Sequence, residues 1–323
     1  MEKIVRNKVL SWTFKIAITL IFIIIVNKSV SGKELHVISE HLSLYHILIA
    51  IFFSITGLIF QVKRWEIILR YQKFQANSTV AWKTILWGNL LAFITPGRLG
   101  ELFRGLKIAE NRTGDSLFAV IIDKLFIVTT VLFTGFVCLL IQILFFNIPI
   151  TFKMKLFLVL VLLMSAVGFV LLSTGRVFGK NHIVSRYFNT VLLNLPRLFT
   201  PAGRRALFYS FSAHLCLVFQ TAVLFIMFGC GNPIINSAAA GEAYGLMLFL
   251  PFTIGNMGVR EGSFHFFLSH LDVCCHNNLL SLKATSLGVS LLILIMNIIA
   301  PAFVGLLWYL FDSSLRKKQM EST

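Results

Sequence analysis

The sequence predicts an all-α, polytopic transmembrane helix bundle, with about six full spans and two re-entrant broken-helix hairpins related as inverted repeats. Three observations carry that expectation. Apolar residues make up 57% of the 323-residue chain and charged residues 13%, with a mean hydropathy of +0.84. A polar Gly-x-x-Gly stretch recurs 158 residues further on, from Gly97 and Gly100 to Gly255 and Gly258. Lysines and arginines gather in alternate connections between the apolar runs, as the positive-inside rule requires. No stretch has the composition of a separate soluble unit, so the expectation is a single integral membrane domain over 1–323. The net charge of +16 is explained by basic residues beside membrane spans, facing anionic lipid, and implies no nucleic acid.

In chain order, residues 1–10 carry Lys3, Arg6 and Lys8 ahead of the apolar run 16–26. Extended back through Val9 and Leu10, that run reaches span length, with Lys15 able to snorkel and no small-residue cleavage site after it. It reads as an anchor with a cytoplasmic N terminus. The connection 28–43 balances Lys28 and Lys33 against Glu34 and Glu40 and suits the outer face. Residues 44–62 form the second span, leaving the membrane at Lys63-Arg64-Trp65.

The run 80–95 is short for a crossing and ends at Pro96-Gly97. A full crossing would put Arg104, Lys107 and Arg112 outside; a hairpin dipping in from the cytoplasm keeps them inside. Residues 116–146 cross outward, with Asp123-Lys124 near the inner end as packing or snorkelling residues. After an outer turn, 156–174 return inward.

The connection 176–205 holds Arg176, Lys180, Arg186, Arg197, Arg204 and Arg205 with no acidic residue, the strongest cytoplasmic signal in the chain. Residues 207–228 then cross outward. The segment 238–271 enters with Glu242, breaks at 253–258 and returns, forming a second hairpin from the opposite side. Residues 284–311 are the last span, with a kink expected at Pro301, and Arg316-Lys317-Lys318 places the C terminus inside. This layout puts 21 basic residues on the inner side and five on the outer.

The repeats therefore run approximately over 44–146 and 207–311, in opposite senses. Pro removes a backbone donor and Gly tolerates unusual angles, so Pro96, Gly97, Gly100, Gly255 and Gly258 are the expected helix breaks. At membrane depth, broken backbone survives only around a protein-lined cavity, and paired breaks in two halves point to a transport site. A helix starting after each glycine pair would turn its positive end inward and favour an anionic group. The substrate-binding candidates are Arg98, Glu101 and Arg104 from the first copy and Asn256, Arg260 and Glu261 from the second. The structural alternative is that these Arg and Glu residues pair across facing hairpins.

Other polar residues carry less. Asn89, His214, Gln220 and Asn297 read as interhelical hydrogen-bonding groups. His265 and His270 are five apart, share no helix face well and have no completing ligand, so no metal is expected. Cys138 and Cys216 read as packing residues, and a disulfide from Cys230 to Cys274 or Cys275 stays open. No nucleotide-binding loop or Ser-His-Asp arrangement points to a cofactor or to hydrolysis.

Asn89 with Pro96-Gly97-Arg98-Leu99-Gly100-Glu101 and Arg104, followed by Pro251 with Gly255-Asn256-Met257-Gly258-Val259-Arg260-Glu261-Gly262, resembles the lysylphosphatidylglycerol synthase transmembrane, or flippase-like, family. The resemblance implies an inner-membrane domain associated with moving lipids or lipid-linked intermediates between leaflets. The family's best-known members fuse it to a soluble synthase that aminoacylates phosphatidylglycerol. With the sequence ending at Thr323, the expectation is the membrane domain without that transferase, and no enzyme activity. Two other readings stand beside transport. One is a membrane-embedded headgroup transferase with Glu101 or Glu261 as general base; the other is an accessory subunit of a separate lipid-modifying enzyme.

Overall fold

A computed structural model describes residues 39–95, 99–105, 113–146, 200–248, 258–269, 282–308 and 311. The protein is a polytopic helical bundle, with no strand among the described residues. Among the described residues, four helices are long and apolar enough to cross a membrane: Leu44–Tyr71, Asp115–Gln142, Pro201–Met227 and Leu282–Trp308. These are the four spans expected to flank the two breaks. The anchor at 16–26 and the basic connection up to 199 lie outside the described residues.

Helix α1 (Leu44–Tyr71) turns Leu44, Leu48, Ile51, Phe52, Ile55 and Ile59 outward, a stripe at helical spacing that suits lipid contact. It does not end at Lys63 as the charge pattern suggests. It runs to Tyr71 because the charges past Val62 find partners: Glu66 bridges Lys63 at 3.4 Å and Arg70 at 2.6 Å, and Arg64 turns into the bundle. Trp65 is fully buried and donates to Thr84 Oγ1 at 2.9 Å.

Helix α2 (Ser78–Ile94) opens on Asn77, whose side chain accepts from the Val80 N–H. A 3₁₀ turn, Leu99–Arg104, stands where a helix was expected to start after the glycine pair. The reason is steric and local. Gly100 lies so close to the α2 backbone that a Cβ there would meet the Leu91 carbonyl at 2.2 Å, and its N–H donates to Thr95 Oγ1 at 2.6 Å. The 3₁₀ turn is thereby folded back onto α2. Helix α3 (Thr113–Phe146) follows.

Helix α4 (Pro201–Met227) has Thr200 as N-cap and Pro201 at its first position, where a missing N–H costs nothing. It starts six residues before the expected 207, so Arg204 and Arg205 sit exposed in its first turn. Helix α5 (Pro233–Met247) repeats the device with Asn232 as cap. Helix α6 (Val259–Leu268) begins at Gly258, whose φ of +83° is a conformation that glycine adopts without strain. Helix α7 (Leu282–Leu294) passes into a π-helical turn, Ile295–Ile299, and continues to Trp308. The irregularity lies just ahead of Pro301, because proline cannot donate to the carbonyl four residues before it and its ring crowds that carbonyl.

The packing has an internal correspondence. Exchanging α1, α2, the 3₁₀ turn and α3 for α4, α5, α6 and α7 carries the contact pattern onto itself. Thus α1 packs on α4; α1–α2 matches α4–α5; and the 3₁₀ turn on α3 matches α6 on α7. The cross-contact of α3 with α5 matches that of α2 with the π turn of the last helix. Both cross-contacts use a glycine: Gly241 of α5 faces Cys138 on α3, and Gly305 in the last helix faces the Leu86 carbonyl on α2. One apolar cluster forms around Trp65, Leu69, Ile85 and Phe126, and the other around Leu224, Phe225, Phe228 and Phe264.

Candidate functional site

Between the two clusters lies a cavity of about 500 Å³ lined by residues of both halves. Its charged wall comprises Arg64 from α1, Glu101 and Arg104 from the 3₁₀ turn, Lys124 from α3 and Arg260 from α6. The rest of its polar lining is neutral: Ser54, Gln61, Asn89, Thr130, Ser210, His214, Gln220, Tyr244 and Asn297.

Asp123 organises the charged wall from behind. It is fully buried, and it accepts from Arg64 Nε at 2.7 Å and Nη2 at 3.2 Å, and from Arg104 Nη2. An intramembrane carboxylate needs cationic partners, and here two elements supply one each. Arg64 is held further by Ser210 at 3.3 Å, itself bonded to Thr130 at 2.9 Å. The Arg104 guanidinium lies 4.1 Å from the centre of the Trp65 ring, a cation–π contact on a face closed to water. Its Nε has no hydrogen-bond partner among the described residues. Glu101 pairs with Lys124 at the edge of the same wall.

The second copy is built differently. Arg260 Nε donates to Ser290 Oγ on α7 at 2.6 Å, and Ser290 in turn donates to Glu261. The other Glu261 oxygen accepts the Gly258 N–H, half of a capping box at the start of α6. Glu261 is therefore a cap and a brace for α7, and it does not line the cavity.

Three of the expected binding residues, Glu101, Arg104 and Arg260, are thus brought to one cavity. Arg98 and Asn256 lie outside the described residues, as do Pro96, Gly97 and Gly255. Arg104 does not pair with a glutamate of the facing hairpin; its partner is Asp123 on the neighbouring span. Among the described residues, a helix begins directly after the glycine pair at α6, whereas the first copy has a 3₁₀ turn there.

Sequence reasoning missed Arg64, read as a boundary charge, and misjudged Asp123 and Lys124. A fully intramembrane Asp is itself a signal that a cation must face it, but Arg64 lies 59 residues earlier and nothing local connects them. The interhelical role expected of Gln220 and Asn297 is present. Asn297 Nδ2 donates to Gln220 Oε1 at 2.7 Å, and Ser54 donates to Asn297 Oδ1 at 2.6 Å. Cys138 and Cys216 are buried, while the partners considered for Cys230 lie outside the described residues.

Among the described residues, the cavity is lined by the cations Arg64, Arg104, Lys124 and Arg260 and by one carboxylate, Glu101, with Asp123 paired behind the two arginines. The arrangement suits an anionic guest. A family model described as lysylphosphatidylglycerol synthase TM region matches residues 12–300. No curated protein and no solved structure matches the chain.

Proposed function

The chain belongs to the lysylphosphatidylglycerol synthase TM-region family, and on that premise we propose that it moves an anionic phospholipid or lipid-linked intermediate between membrane leaflets. The observation that carries this reading is the convergence of arginines from both broken elements, Arg104 and Arg260, with Arg64 on a single cavity between two similar halves. Guanidinium groups suit phosphate because their fixed fork matches its oxygens. The cavity volume of about 500 Å³ falls within the usual range for ligand pockets, roughly 300–1,000 Å³. That is a size for a headgroup, with the acyl chains left in lipid.

Two similar halves meeting at a central site supply the means of alternating access: rocking one half against the other exposes the cavity to each leaflet in turn. The bias of basic residues toward one side supports an orientation with both termini cytoplasmic, and the family resemblance supports the inner membrane as its location. A headgroup transferase is less well served. Glu101 is held on Lys124, and Glu261 is held by Ser290 and the Gly258 N–H, so neither carboxylate is placed to take a proton from an acceptor.

The test is leaflet transfer of labelled anionic phospholipid in proteoliposomes, wild type against Arg260→Ala. The variant is expected to lose transfer while remaining folded in the membrane. Equal transfer by both proteins would sink the site, and a chemically altered lipid after incubation would favour the transferase.

A further inference from the structure

Asp123 shows what a buried intramembrane carboxylate needs, and it has two arginines. Glu242 on α5 is buried almost as completely, at 1% exposure, and has neither. No cation meets it among the described residues, it does not line the cavity, and its Oε1 has no hydrogen-bond partner there. The side chain that faces it is Gln142 of α3, also fully buried, whose Oε1 and Nε2 both lack a hydrogen-bond partner among the described residues. Three orphaned polar atoms at one helix contact call for a common explanation.

The place of this pair matters. It lies in the α5–α3 contact, one of the two that join the halves. The neighbouring Gly241 holds the backbone of α5 so close to α3 that a Cβ there would meet Cys138 Sγ at 2.6 Å. Cys138 is the titratable group that faces Glu242 from α3. The other elements packed on α5 are α4 and α6, and their charged or titratable groups are engaged elsewhere. His214 of α4 lies against Tyr244, and Arg260 and Glu261 of α6 are held on Ser290. His265 of α6 is half-buried and adds no charge at Glu242.

The donors and acceptors of the pair match in one protonation state. An ionised carboxylate only accepts, so beside it Gln142 Oε1 finds no donor and the negative charge stays uncompensated in a closed contact, an expensive arrangement. With a proton on Glu242, its O–H donates to Gln142 Oε1 while Gln142 Nε2 donates to the other carboxyl oxygen. All three orphaned atoms are then served and no charge is buried.

We propose that Glu242 and Gln142 form a proton-binding site between the two halves, occupied while α3 and α5 are packed and emptied to water as they part. Opening of this contact then releases one proton from Glu242, and closing takes one up. The proposal goes beyond the transport reading and rests on it for the cycle in which the halves separate.

Two measurements on the full chain in proteoliposomes test it. Infrared difference spectra between wild type and Glu242→Gln read the carbonyl stretch of a protonated carboxylic acid, which a carboxylate lacks. Wild type is expected to show that band at neutral pH, and the variant to lack it. Leaflet transfer of labelled phosphatidylglycerol reads the coupling, since this diester keeps one charge from mildly acid to mildly alkaline pH. Wild-type transfer is expected to rise with pH by up to about tenfold per unit, the change in the ratio of ionised to neutral Glu242. Glu242→Gln, whose amide mimics the neutral acid, is expected to transfer slowly at every pH. It should melt at or above wild type, because no ion pair is lost with the carboxylate.

A missing band at neutral pH, or a melting point for Glu242→Gln well below wild type, means a charged carboxylate and overturns the site. Equal pH profiles in the two proteins overturn the inference and leave transport standing. No wild-type transfer at any pH overturns the transport reading and the coupling with it, and the infrared band then decides the proton site by itself.

Discussion

Asp123 is the residue on which the charged wall depends. Replacing it with alanine leaves Arg64 and Arg104 facing each other in a buried space, the situation in which breaking an ion pair costs most. We expect Asp123→Ala to destabilise by about 3–5 kcal/mol, read as a fall in the thermal midpoint and folded yield in detergent. Asp123→Asn, which still accepts hydrogen bonds, is expected to cost less. Arg104→Lys keeps the charge but loses both the fork and the flat stacking on Trp65. Transfer by that variant should fall at least tenfold with the fold intact, and wild-type transfer would show that charge alone suffices at this position.

At the scale of elements, the two Gly-x-x-Gly copies show one spacing serving different physics. Gly100 is required by close approach, with the α2 backbone where a Cβ would go, whereas Gly258 is required by its positive φ at the start of α6. The two therefore respond differently to substitution. Gly258→Ala should cost about 1–2 kcal/mol, the strain of a left-handed residue. Gly258→Asn should cost about as much, since the Gly258 ψ of −48° lies outside the left-handed helical region that asparagine tolerates. Gly100→Ala and Gly100→Asn should both be severe, roughly 1–3 kcal/mol or more from overpacking, because no side chain fits. Melting curves of the four variants check this, and substitutions tolerated at 100 but not at 258 would reverse the assignment.

At the scale of the whole molecule, the two cross-contacts between halves are where alternating access has to act. Gly241 and Cys138 meet across the α5–α3 contact, and a Cβ on Gly241 would lie 3.4 Å from the Cys138 Cβ. That is close to the range that a disulfide accepts, about 3.5–4.5 Å. Gly241→Cys is therefore expected to cross-link to Cys138 on oxidation. The locked protein should bind dioctanoyl phosphatidylglycerol but not transfer lipid, with transfer returning on reduction. Transfer undiminished in the cross-linked protein would mean that the halves do not part at this contact.

Much of this protein was legible in one dimension, since the physics involved is local or periodic. Long apolar runs can only be membrane helices where backbone groups must bond internally. Composition and charge spacing therefore reached the helical bundle and the apolar helices seen at Leu44–Tyr71, Asp115–Gln142, Pro201–Met227 and Leu282–Trp308. Partnership was decided only by the tertiary structure. Whether an arginine faces water, a lipid phosphate or a buried aspartate depends on which helix lies opposite. That is why Arg64 passed for a boundary charge, Asp123 for packing and Glu261 for a ligand contact. The same dependence put a 3₁₀ turn at Leu99–Arg104, where a helix start was expected, because the backbone of α2 fills the space beside Gly100.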